Sequence, residues 1–439
     1  MFNLQKTKNV FVGLIFTCLV ACGGGGLQTS PAPNLNENNT PAALSLSSNY
    51  PADIDIVSGD PALKDIAFIT SSSGSPALVF AVNLSQNPLQ ISTQFRGLPT
   101  LVSAGIPNNL VVLDSTHAFL LTSDKLIYFD PKEGSVKQEV DLTEAITLSD
   151  PVRQVNASSV AMSDLSGTFI PSFPASLAVS GNRIAVSFSN LNYAPTLTAA
   201  QGLVRFYDYH PENSVAISSS NEHWFTHCGS TAQSGFNTSG LTVVGDGRLL
   251  VTCTGLTRLD LSARSSLPVT PAGIDVLDFA TGDILASLDL GLTAPAFRSW
   301  AVSSDRKKAY LGSSSGGYLL QLSLEGDVTL ERGLSNPIVI TDSHNGSDFM
   351  DEVLISNDNS KLFAFSSNSS SVYTLDLTQT NMPILTQRTV DLSAAGSPGG
   401  ITGVGPAALR QGRPGVDFTG PDLWVLTGNP GTLAAIRSY

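Results

Sequence analysis

The stretch Val302-Ser-Ser-Asp-Arg-Lys-Lys-Ala-Tyr-Leu-Gly312 decides the fold, because a close copy returns as Ile355-Ser-Asn-Asp-Asn-Ser-Lys-Leu-Phe-Ala-Phe365. Each copy reads as a strand, a polar turn and a second strand, and a short turn and a third strand follow. Weaker copies begin at Val111, Leu177 and Val243. One unit therefore recurs about every 50–60 residues, a period that indicates a repeat architecture.

The third strand of a unit often ends in a turn with a fixed spacing. Asp130-Pro-Lys-Glu-Gly134 and Asp278-Phe-Ala-Thr-Gly282 share it, and glycine supplies the positive φ that closes such hairpins. A fourth strand follows at 136–142 and at 284–290. Four antiparallel strands repeated at this period predict an all-β fold, a β-propeller.

We count seven units, which predicts a seven-bladed propeller, and they begin near residues 52, 108, 174, 239, 298, 351 and 404. The alternative is eight blades, with a degenerate blade hidden in 143–172. The last unit has three strands before Tyr439. We expect residues 42–48 to supply its fourth strand, to pair with 432–438, and so to close the ring.

The repeated pattern of Ser-x-Asp, four residues and hydrophobic-Tyr-hydrophobic, with a later strand ending in Leu-Asp-Leu, resembles the YVTN-type (YncE-like) propeller repeats. The resemblance covers most of the chain, and it implies a fold rather than an activity. Most copies depart from the family pattern; Arg306, for instance, stands where a glycine is usual.

The N-terminus has the order of a targeting segment. Lys6 and Lys8 precede an apolar run at 10–20, which is too short to span a bilayer as a helix. The run ends in Leu19-Val-Ala-Cys22, which resembles the bacterial lipobox. The resemblance implies cleavage before Cys22 and a stable lipid anchor on it. The alternative is an ordinary secretory signal with a coincidental cysteine.

Three segments follow from this interpretation. Residues 1–21 are the lipoprotein signal peptide, 22–41 are the lipidated Cys22 and a disordered linker rich in Gly, Pro and Asn, and 42–439 are the propeller. The predicted location is the bacterial cell envelope. Gly23, rather than aspartate, follows the cysteine, which in enteric-type sorting indicates the outer membrane.

The chain is acidic, with a net charge of −13. Without the signal it keeps 36 acidic against 23 − 2 = 21 basic residues, a net charge of −15. Such a balance argues against nucleic acid as a partner.

The two cysteines outside the N-terminal region, Cys228 and Cys253, predict a disulfide in an oxidising compartment. One alternative is a pair of free buried thiols. Another is zinc held by these cysteines with His223 and His227, although the spacing matches no familiar zinc module. We place these histidines in a loop between blades, in a structural role.

The run from Asp342 to Glu352 is rich in oxygen ligands. A solvated loop is the expected role, and calcium on Asp342, Asp348 and Asp351 is the alternative. No other cofactor is predicted, because the chain lacks Cys-x-x-Cys-His, Gly-x-Ser-x-Gly and phosphate-binding glycine loops.

Six long insertions are predicted on one face of the propeller. Loops from the second to the third strand, and connections between blades, emerge on the same face because strands alternate in direction. The insertions are 143–172, 190–201, 221–238, 255–272, 334–350 and 392–403. We expect nearly all the connections on the opposite face to be tight turns of two to five residues. The candidate binding residues on the long-loop face are Tyr193, His223, Trp224, Phe225, His227, Asp342, Asn345 and Asp348.

The function that fits these features is a lipid-anchored binding or assembly module, with another envelope protein or an extracellular polymer as partner. The rival is a lactonase-type or hydrolase propeller with a metal site in its channel. The first strands around Leu177, Leu241 and Val353 carry few carboxylates, so the sequence favours a protein without enzymatic activity.

Overall fold

The predicted four-strand unit is the repeating element of the structure. The structure is a computed structural model, and it describes residues 43–46, 51–57, 60–71, 77–86, 88–99, 105–192, 197–260, 265–291, 295–313, 317–340, 350–356, 358–366, 371–389, 402–409, 423–429 and 432–436. The regular structure of these residues is β-strand, apart from two single-turn 3-10 helices at Pro61–Leu63 and Gly245–Gly247.

The N-terminal half contains nineteen of the described strands. They are β1 (Ala43–Ser45), β2 (Pro51–Ile56), β3 (Ile66–Ser71), β4 (Val79–Asn83), β5 (Gln90–Ile91), β6 (Pro107–Val112), β7 (Ala118–Thr122), β8 (Lys125–Asp130), β9 (Ser135–Asp141), β10 (Ile146–Thr147), β11 (Val152–Asn156), β12 (Ala161–Leu165), β13 (Thr168–Phe169), β14 (Pro174–Ser180), β15 (Arg183–Phe188), β16 (Leu191–Asn192), β17 (Thr198–Ala200), β18 (Leu203–Tyr209) and β19 (Ile217–Phe225).

The C-terminal half contains the other described strands. They are β20 (Thr238–Val244), β21 (Arg248–Cys253), β22 (Leu256–Asp260), β23 (Ser265–Thr270), β24 (Ala272–Asp278), β25 (Ile284–Gly291), β26 (Pro295–Val302), β27 (Lys308–Ser313), β28 (Tyr318–Ser323), β29 (Thr329–Arg332), β30 (Ile338–Val339), β31 (Met350–Ile355), β32 (Lys361–Ser366), β33 (Ser371–Asp376), β34 (Ile384–Thr389), β35 (Thr402–Leu409), β36 (Leu423–Asn429) and β37 (Thr432–Ile436).

Seven antiparallel sheets of the described chain repeat one strand order, and we number them 1 to 7. They are β2-β3-β4-β5, β6-β7-β8-β9, β14-β15-β18-β19, β20-β21-β24-β25, β26-β27-β28-β29, β31-β32-β33-β34 and β35-β36-β37-β1. Their first strands contact one another in cyclic order, from β2 through β35 and back to β2. This ring of first strands is the inner ring of an all-β propeller.

The hydrophobic core lies between neighbouring sheets. Phe68 of sheet 1 packs in one cluster with Leu120 of sheet 2, and Phe119 of sheet 2 packs in the next cluster with Val186 of sheet 3. Because each sheet is covered on both faces, middle strands such as β3 and β7 are buried along their whole length. The apolar runs that the sequence shows in these strands follow from this burial.

The ring closes as predicted, through a strand from the start of the described chain. Strand β1 pairs antiparallel with β37, with Ala43 opposite Ala434. A cluster shared by Ile54, Leu426 and Leu433 joins sheet 7 to sheet 1. The N-terminal strand therefore completes the sheet that the C-terminal strands begin.

The repeated polar turn is held by its own side chains. Ser303 Oγ donates to Asp305 Oδ1 at 2.6 Å and accepts the backbone N–H of Lys308 at 2.9 Å. Ser356 Oγ donates to Asp358 Oδ1 at 2.6 Å in the second copy. These local bonds explain why Ser-x-Asp recurs at this place in the repeat.

The residue after that aspartate takes a left-handed backbone conformation. Arg306 has φ +59° and Asn359 has φ +57°. Glycine adopts this conformation at no steric cost, asparagine tolerates it, and arginine does not favour it. The glycine usual at the Arg306 position in YVTN-type repeats is therefore the residue that its backbone conformation favours.

The outermost strands of five sheets carry a register shift against the third strand. The shifts lie in the pairs of β9, β19, β25, β29 and β34 with their neighbours. A bulge twists an edge strand and makes it a poor template for another chain.

Within the described residues we find no helix with the length and apolar character needed to cross a membrane.

Candidate functional site

The two ends of the propeller differ in their connections. We call the end with the inter-sheet connections and the loops from second to third strands the connection face, and the other end the turn face. Turn-face connections such as 131–134 and 181–182 are tight. The prediction of two to five residues is wrong for 57–65, 84–89, 210–216 and 377–383, which are longer.

Three of the six long insertions predicted for the connection face form hairpins of paired strands. Residues 143–172 form the hairpins β11–β12 and β10–β13, the loop between β15 and β18 forms β16–β17, and the loop between β21 and β24 forms β22–β23. Strand β11 also pairs with β17, with Val155 opposite Ala199. We call these eight strands the cap. Three of the predicted insertions form the cap. The strands of 143–172 are divided between two sheets of the cap, so this segment does not form an eighth four-stranded blade.

The cap has a small core of its own. Val155, Ala199, Phe236, Leu256 and Val269 are buried against one another. They come from all three cap insertions and from the connection 226–237. Because these segments are far apart in sequence, their packing fixes the hairpins over sheets 3 and 4 rather than leaving each one free.

Arg153 on β11 ties the cap to the connection 226–237. Its guanidinium donates from Nε to Gln201 Oε1 at 3.3 Å and also donates to the carbonyl oxygen of Ala232. It lies 5.9 Å from the ring centroid of Phe236. Burial lowers the pKa of Arg153, and the charge of Asp164 partly offsets this shift.

The same connection is fixed to sheet 4 by a buried carboxylate and by the predicted disulfide. Asp275 on β24 is fully buried, and it accepts the backbone N–H groups of His227 and Cys228, both at 2.7 Å. Cys228 is bonded to Cys253 at the end of β21. A Cβ on Gly273 would lie 1.8 Å from the Cys228 carbonyl oxygen, so this close approach requires glycine.

The disulfide confirms one of the three interpretations of the cysteines. Neither Cys228 nor Cys253 is a thiolate or a free thiol, so the zinc set with His223 and His227 and the free-thiol alternative are both wrong. Over the described part of the chain, no group of three or more His, Cys, Asp or Glu side chains is arranged to hold a metal ion.

The predicted aromatic residues lie at the edge of sheet 3 rather than in a loop. His223, Trp224 and Phe225 are the last residues of β19, opposite Arg205, Val204 and Leu203. The inter-blade loop predicted from 221 is wrong, because a bulge in the pairing of β19 with β18 takes up extra residues before His223 and lets the strand continue.

Alternation along β19 sends these rings to opposite sides of the sheet. Phe225 contacts His223 and the Phe169 ring of the cap, each edge to face at 5.7 Å between ring centroids. Trp224 lies on the other side, 5.1 Å from the His227 ring. The side chains of His223 and His227 are exposed, and those of Trp224 and Phe225 are half-buried. The connection-face end of β19 therefore carries His223 and Phe225 on one side of the sheet and Trp224 on the other.

Several predicted site residues lie outside the described residues. These are Cys22, Tyr193, Asp342, Asn345 and Asp348. Asp351 lies in β31, and only its backbone is described.

The inner ring contains carboxylates and amides that the sequence analysis missed. Asp53 Oδ2 accepts the N–H of Leu110 at 2.8 Å, and Asn109 Oδ1 accepts the N–H of Leu177 at 2.8 Å. Ser176 Oγ accepts a first-strand N–H of sheet 4 in the same way. The backbone N–H groups of the first strands have no neighbouring strand on the channel side, and these side chains accept hydrogen bonds from them. The signal that could have revealed them is the repeated Pro-x-polar-apolar string at 51–54, 107–110 and 174–177.

Asp55 lies two residues further along β2, toward the turn face. Its carboxylate accepts the N–H of Val112 at 2.8 Å. Burial raises the pKa of Asp55 to about 7; the Val112 hydrogen bond opposes this rise and the Asp53 charge adds to it. Glu352 on β31 is a further buried acid of the inner ring. The expectation of few carboxylates therefore fails for β31, and β2 adds two acids to the inner ring.

Comparison with known proteins shows the fold and no family. No protein-family model matches the chain, and no curated protein matches it. Similar solved structures include hydrazine synthase of Kuenenia stuttgartiensis, with 11% identity, a TM-score of 0.56, and 90% of this chain and 97% of that chain covered. The Cps50 (Swd1) β-propeller domain of Myceliophteria thermophila has 11% identity and a TM-score of 0.52, with 90% and 99% covered.

A chain of a mitotic checkpoint complex is similar over 95% of this chain and 100% of that chain, with 8% identity and a TM-score of 0.52. Identities this low carry the architecture alone. The chain is an all-β propeller.

Proposed function

We propose that this chain is a lipid-anchored protein of the bacterial cell envelope whose propeller is a binding or assembly module, and that the connection face is its interaction site. The observation that carries the proposal is the cap. Three insertions from different parts of the chain form paired strands with a shared core on one face, and the turn face has no such layer among the described residues.

An ordered layer of this kind supports the proposal, because ordering long insertions costs conformational entropy and brings no benefit unless the layer has a function. Fixing the backbone of each residue costs about 1–2 kcal/mol of conformational entropy. Long connections on a rigid scaffold usually carry binding residues. The cap and its margin also expose large apolar side chains, with Ile170 at 61%, Val160 at 43%, Met162 at 40% and Phe173 at 39%.

The partner proposed is another envelope protein, and an extracellular polymer is the alternative. Exposed apolar and aromatic side chains beside polar groups are typical anchors of protein interfaces. The acidic net charge of −13 disfavours nucleic acid. The anchor on Cys22, the outer-membrane location and the kinship with YVTN-type repeats belong to the same proposal and rest on the sequence.

The rival hydrolase or lactonase-type function finds less support. Asp53 and Asn109 already accept backbone or side-chain donors of neighbouring first strands, and Asp55 accepts one from Val112. These groups are engaged in joining the sheets. No cofactor is part of the proposal, and calcium at Asp342–Asp348 stays an alternative that metal analysis of the purified protein would test.

The test removes the cap strands and measures binding. Residues 190–201 and 255–272 are each replaced by a two-residue turn, and the partner that co-purifies with the wild-type chain is titrated against both proteins. We expect binding to weaken by about tenfold or more. The matched control shortens 210–216 on the turn face and should bind like the wild type.

Loss of folding must be separated from loss of binding. The surface variant Ile170→Glu changes an exposed cap side chain and should weaken binding with an unchanged melting temperature. Full binding by the shortened-cap protein and by Ile170→Glu, with loss in the 210–216 variant, would overturn the proposal.

A further inference from the structure

The cap has an open strand edge. The four-stranded cap sheet has the order β12-β11-β17-β16, so β12 lies at its side. Ala161, Met162, Ser163 and Asp164 are all exposed, and only Leu165 at the end of β12 is half-buried. In the described chain β12 pairs with β11 alone. Every second residue of an edge strand points its N–H and C=O away from its neighbour, so this edge offers backbone groups to a further strand.

This edge differs from the outermost strands of five of the seven propeller sheets. The outermost strands of five propeller sheets carry a register shift. β12 pairs with β11 over five successive residues without one. It contains neither proline nor lysine, the residues that commonly block an edge. The outermost strands of these five sheets are thus poor templates for pairing, whereas β12 pairs regularly with β11 and leaves its other side open. Strands β1 and β5 also lack a shift, but they pair over only three and two residues.

Charge selects the kind of strand that fits. Asp164 lies on the edge itself, and Glu144 and Asp150 are exposed in the same insertion. The described basic residue of that insertion, Arg153, lies on β11 opposite Asp164 and is engaged with Gln201, Ala232 and the Phe236 ring. Glu144 lies 3.8 Å from the guanidinium of Arg205, and Asp150 is exposed. An incoming strand with basic side chains on one side meets acidic groups here. A second copy of this chain brings a net charge of −13 instead, and long-range repulsion disfavours it.

We infer that β12 is the docking edge for an extended, basic segment of a partner protein, which adds to the cap sheet as a fifth strand. The inference rests on the proposed function, because it names the partner class for the same face. Backbone hydrogen bonds to β12 give the affinity. Met162 contacts an apolar side chain of the incoming segment, and Asp164, on the same side of β12, pairs with a basic side chain two residues along.

The probe is an eight-residue alternating peptide, Lys-Thr-Val-Thr-Val-Thr-Lys-Thr, titrated against the purified protein. Its valines and lysines lie on one side of the strand, as Met162 and Asp164 do on β12. A control peptide keeps the lysines and replaces two central valines by proline, so it has the same charge and cannot form a strand. We expect the control to bind about tenfold more weakly. Hydrogen exchange at 161–165 should slow with the alternating peptide and not with the control.

Two protein variants distinguish binding at the β12 edge from nonspecific electrostatic attraction. Asp164→Lys should weaken binding of the alternating peptide by about fivefold, since it places a positive charge beside the lysines of the peptide. Asp150→Lys makes the same charge change at a residue outside β12 and should weaken binding of the peptide by less than about twofold. Asp150→Lys changes an exposed side chain and should keep the wild-type melting temperature. Asp164→Lys places a lysine opposite Arg153, so we expect a small decrease in its melting temperature, and the titration is done well below that temperature.

The outcomes that overturn the inference are distinct from failure of the proposed function. Equal binding of both peptides, or protection away from 161–165, overturns the edge and leaves the connection face untouched. A dimer in sedimentation that Asp164→Lys alters shows a second copy on the edge and also overturns it. Loss of the co-purified partner in the shortened-cap protein, with no peptide effect, keeps the proposed function and rejects the fifth strand.

Discussion

The connection face and the turn face are built from different kinds of contact. On the turn face, Ser303 and Asp305 close a turn within a few residues, and the same bonds return at Ser356 and Asp358. On the connection face, β11 pairs with β17, and Cys228 is bonded to Cys253. Local contacts repeat with the sequence, whereas long-range contacts occur once.

This difference indicates that local contacts specify the propeller sheets, and that long-range contacts build the additional layer on one face. Repeated local turns define the sheets at low entropic cost, because each closes a short loop. The single long-range contacts shape one face of a scaffold that is already complete. If this account holds, removing a long-range contact of the connection face costs more than removing a local contact of the turn face.

The largest effect is expected from Phe236→Ala. This fully buried ring lies in the cap core and against Arg153, so its loss leaves a cavity and costs about 3–4 kcal/mol. The turn-face control Ser303→Ala removes local hydrogen bonds and costs about 1 kcal/mol. Urea unfolding of both variants measures the difference, and equal costs would remove the distinction between the faces.

Removal of the disulfide is expected to be the next largest effect. The bond joins residues with a sequence separation of 25, and closing a loop of this length contributes about 3 kcal/mol. The double variant Cys228→Ser/Cys253→Ser should lose this amount in urea. Thiol titration of denatured, unreduced protein should find neither cysteine free; two free thiols would contradict the bond.

A smaller effect, on the pH dependence of stability, is expected at Asp55 in the inner ring. Its pKa is about 7 in the folded protein against the ordinary 3.8, so the folded state binds a proton that the unfolded state releases. Stability therefore falls as pH rises from about 4 through about 7.

Asp55→Asn should remove this loss. We expect the variant to gain about 1–2 kcal/mol over the wild type at pH 8 and less at pH 4, a range that allows for the partial exposure of the side chain. Urea unfolding at both pH values measures it. A constant difference between the proteins would mean that Asp55 titrates normally.

The smallest effect is a gain on the turn face. Arg306→Gly relieves a left-handed conformation and should stabilise the protein by about 0.5–1 kcal/mol. Asn359→Gly, at the matched position, should gain less, because asparagine tolerates this conformation. A loss of stability in Arg306→Gly would show that its side-chain contacts outweigh the backbone cost.

Most of the propeller could be predicted from the sequence because its determinants are local. The seven predicted unit starts fall in or beside the first strands β2, β6, β14, β20, β26, β31 and β35. Closure by β1 followed from the missing fourth strand, and the disulfide followed from the number of cysteines and the predicted oxidising compartment.

The cap and the inner ring could not be predicted in the same way. Pairing of Val155 with Ala199 joins short strands whose partners no local pattern indicates. The continuation of β19 through His223 depends on a bulge against β18, and bulges leave weak sequence signals. Asp275 and Asp53 act through acceptor bonds to distant backbone N–H groups, which only the three-dimensional arrangement brings near.

The central claim is that the connection face, and not the turn face, binds the partner. The most direct measurement places a photo-crosslinking amino acid at Ile170 or at Val215 in the cells that make this protein. The two side chains are matched in exposure, at 61% and 59%, and they lie on opposite faces. The account predicts a crosslinked partner from position 170 and none from position 215. A crosslink from position 215 with none from 170 would contradict it.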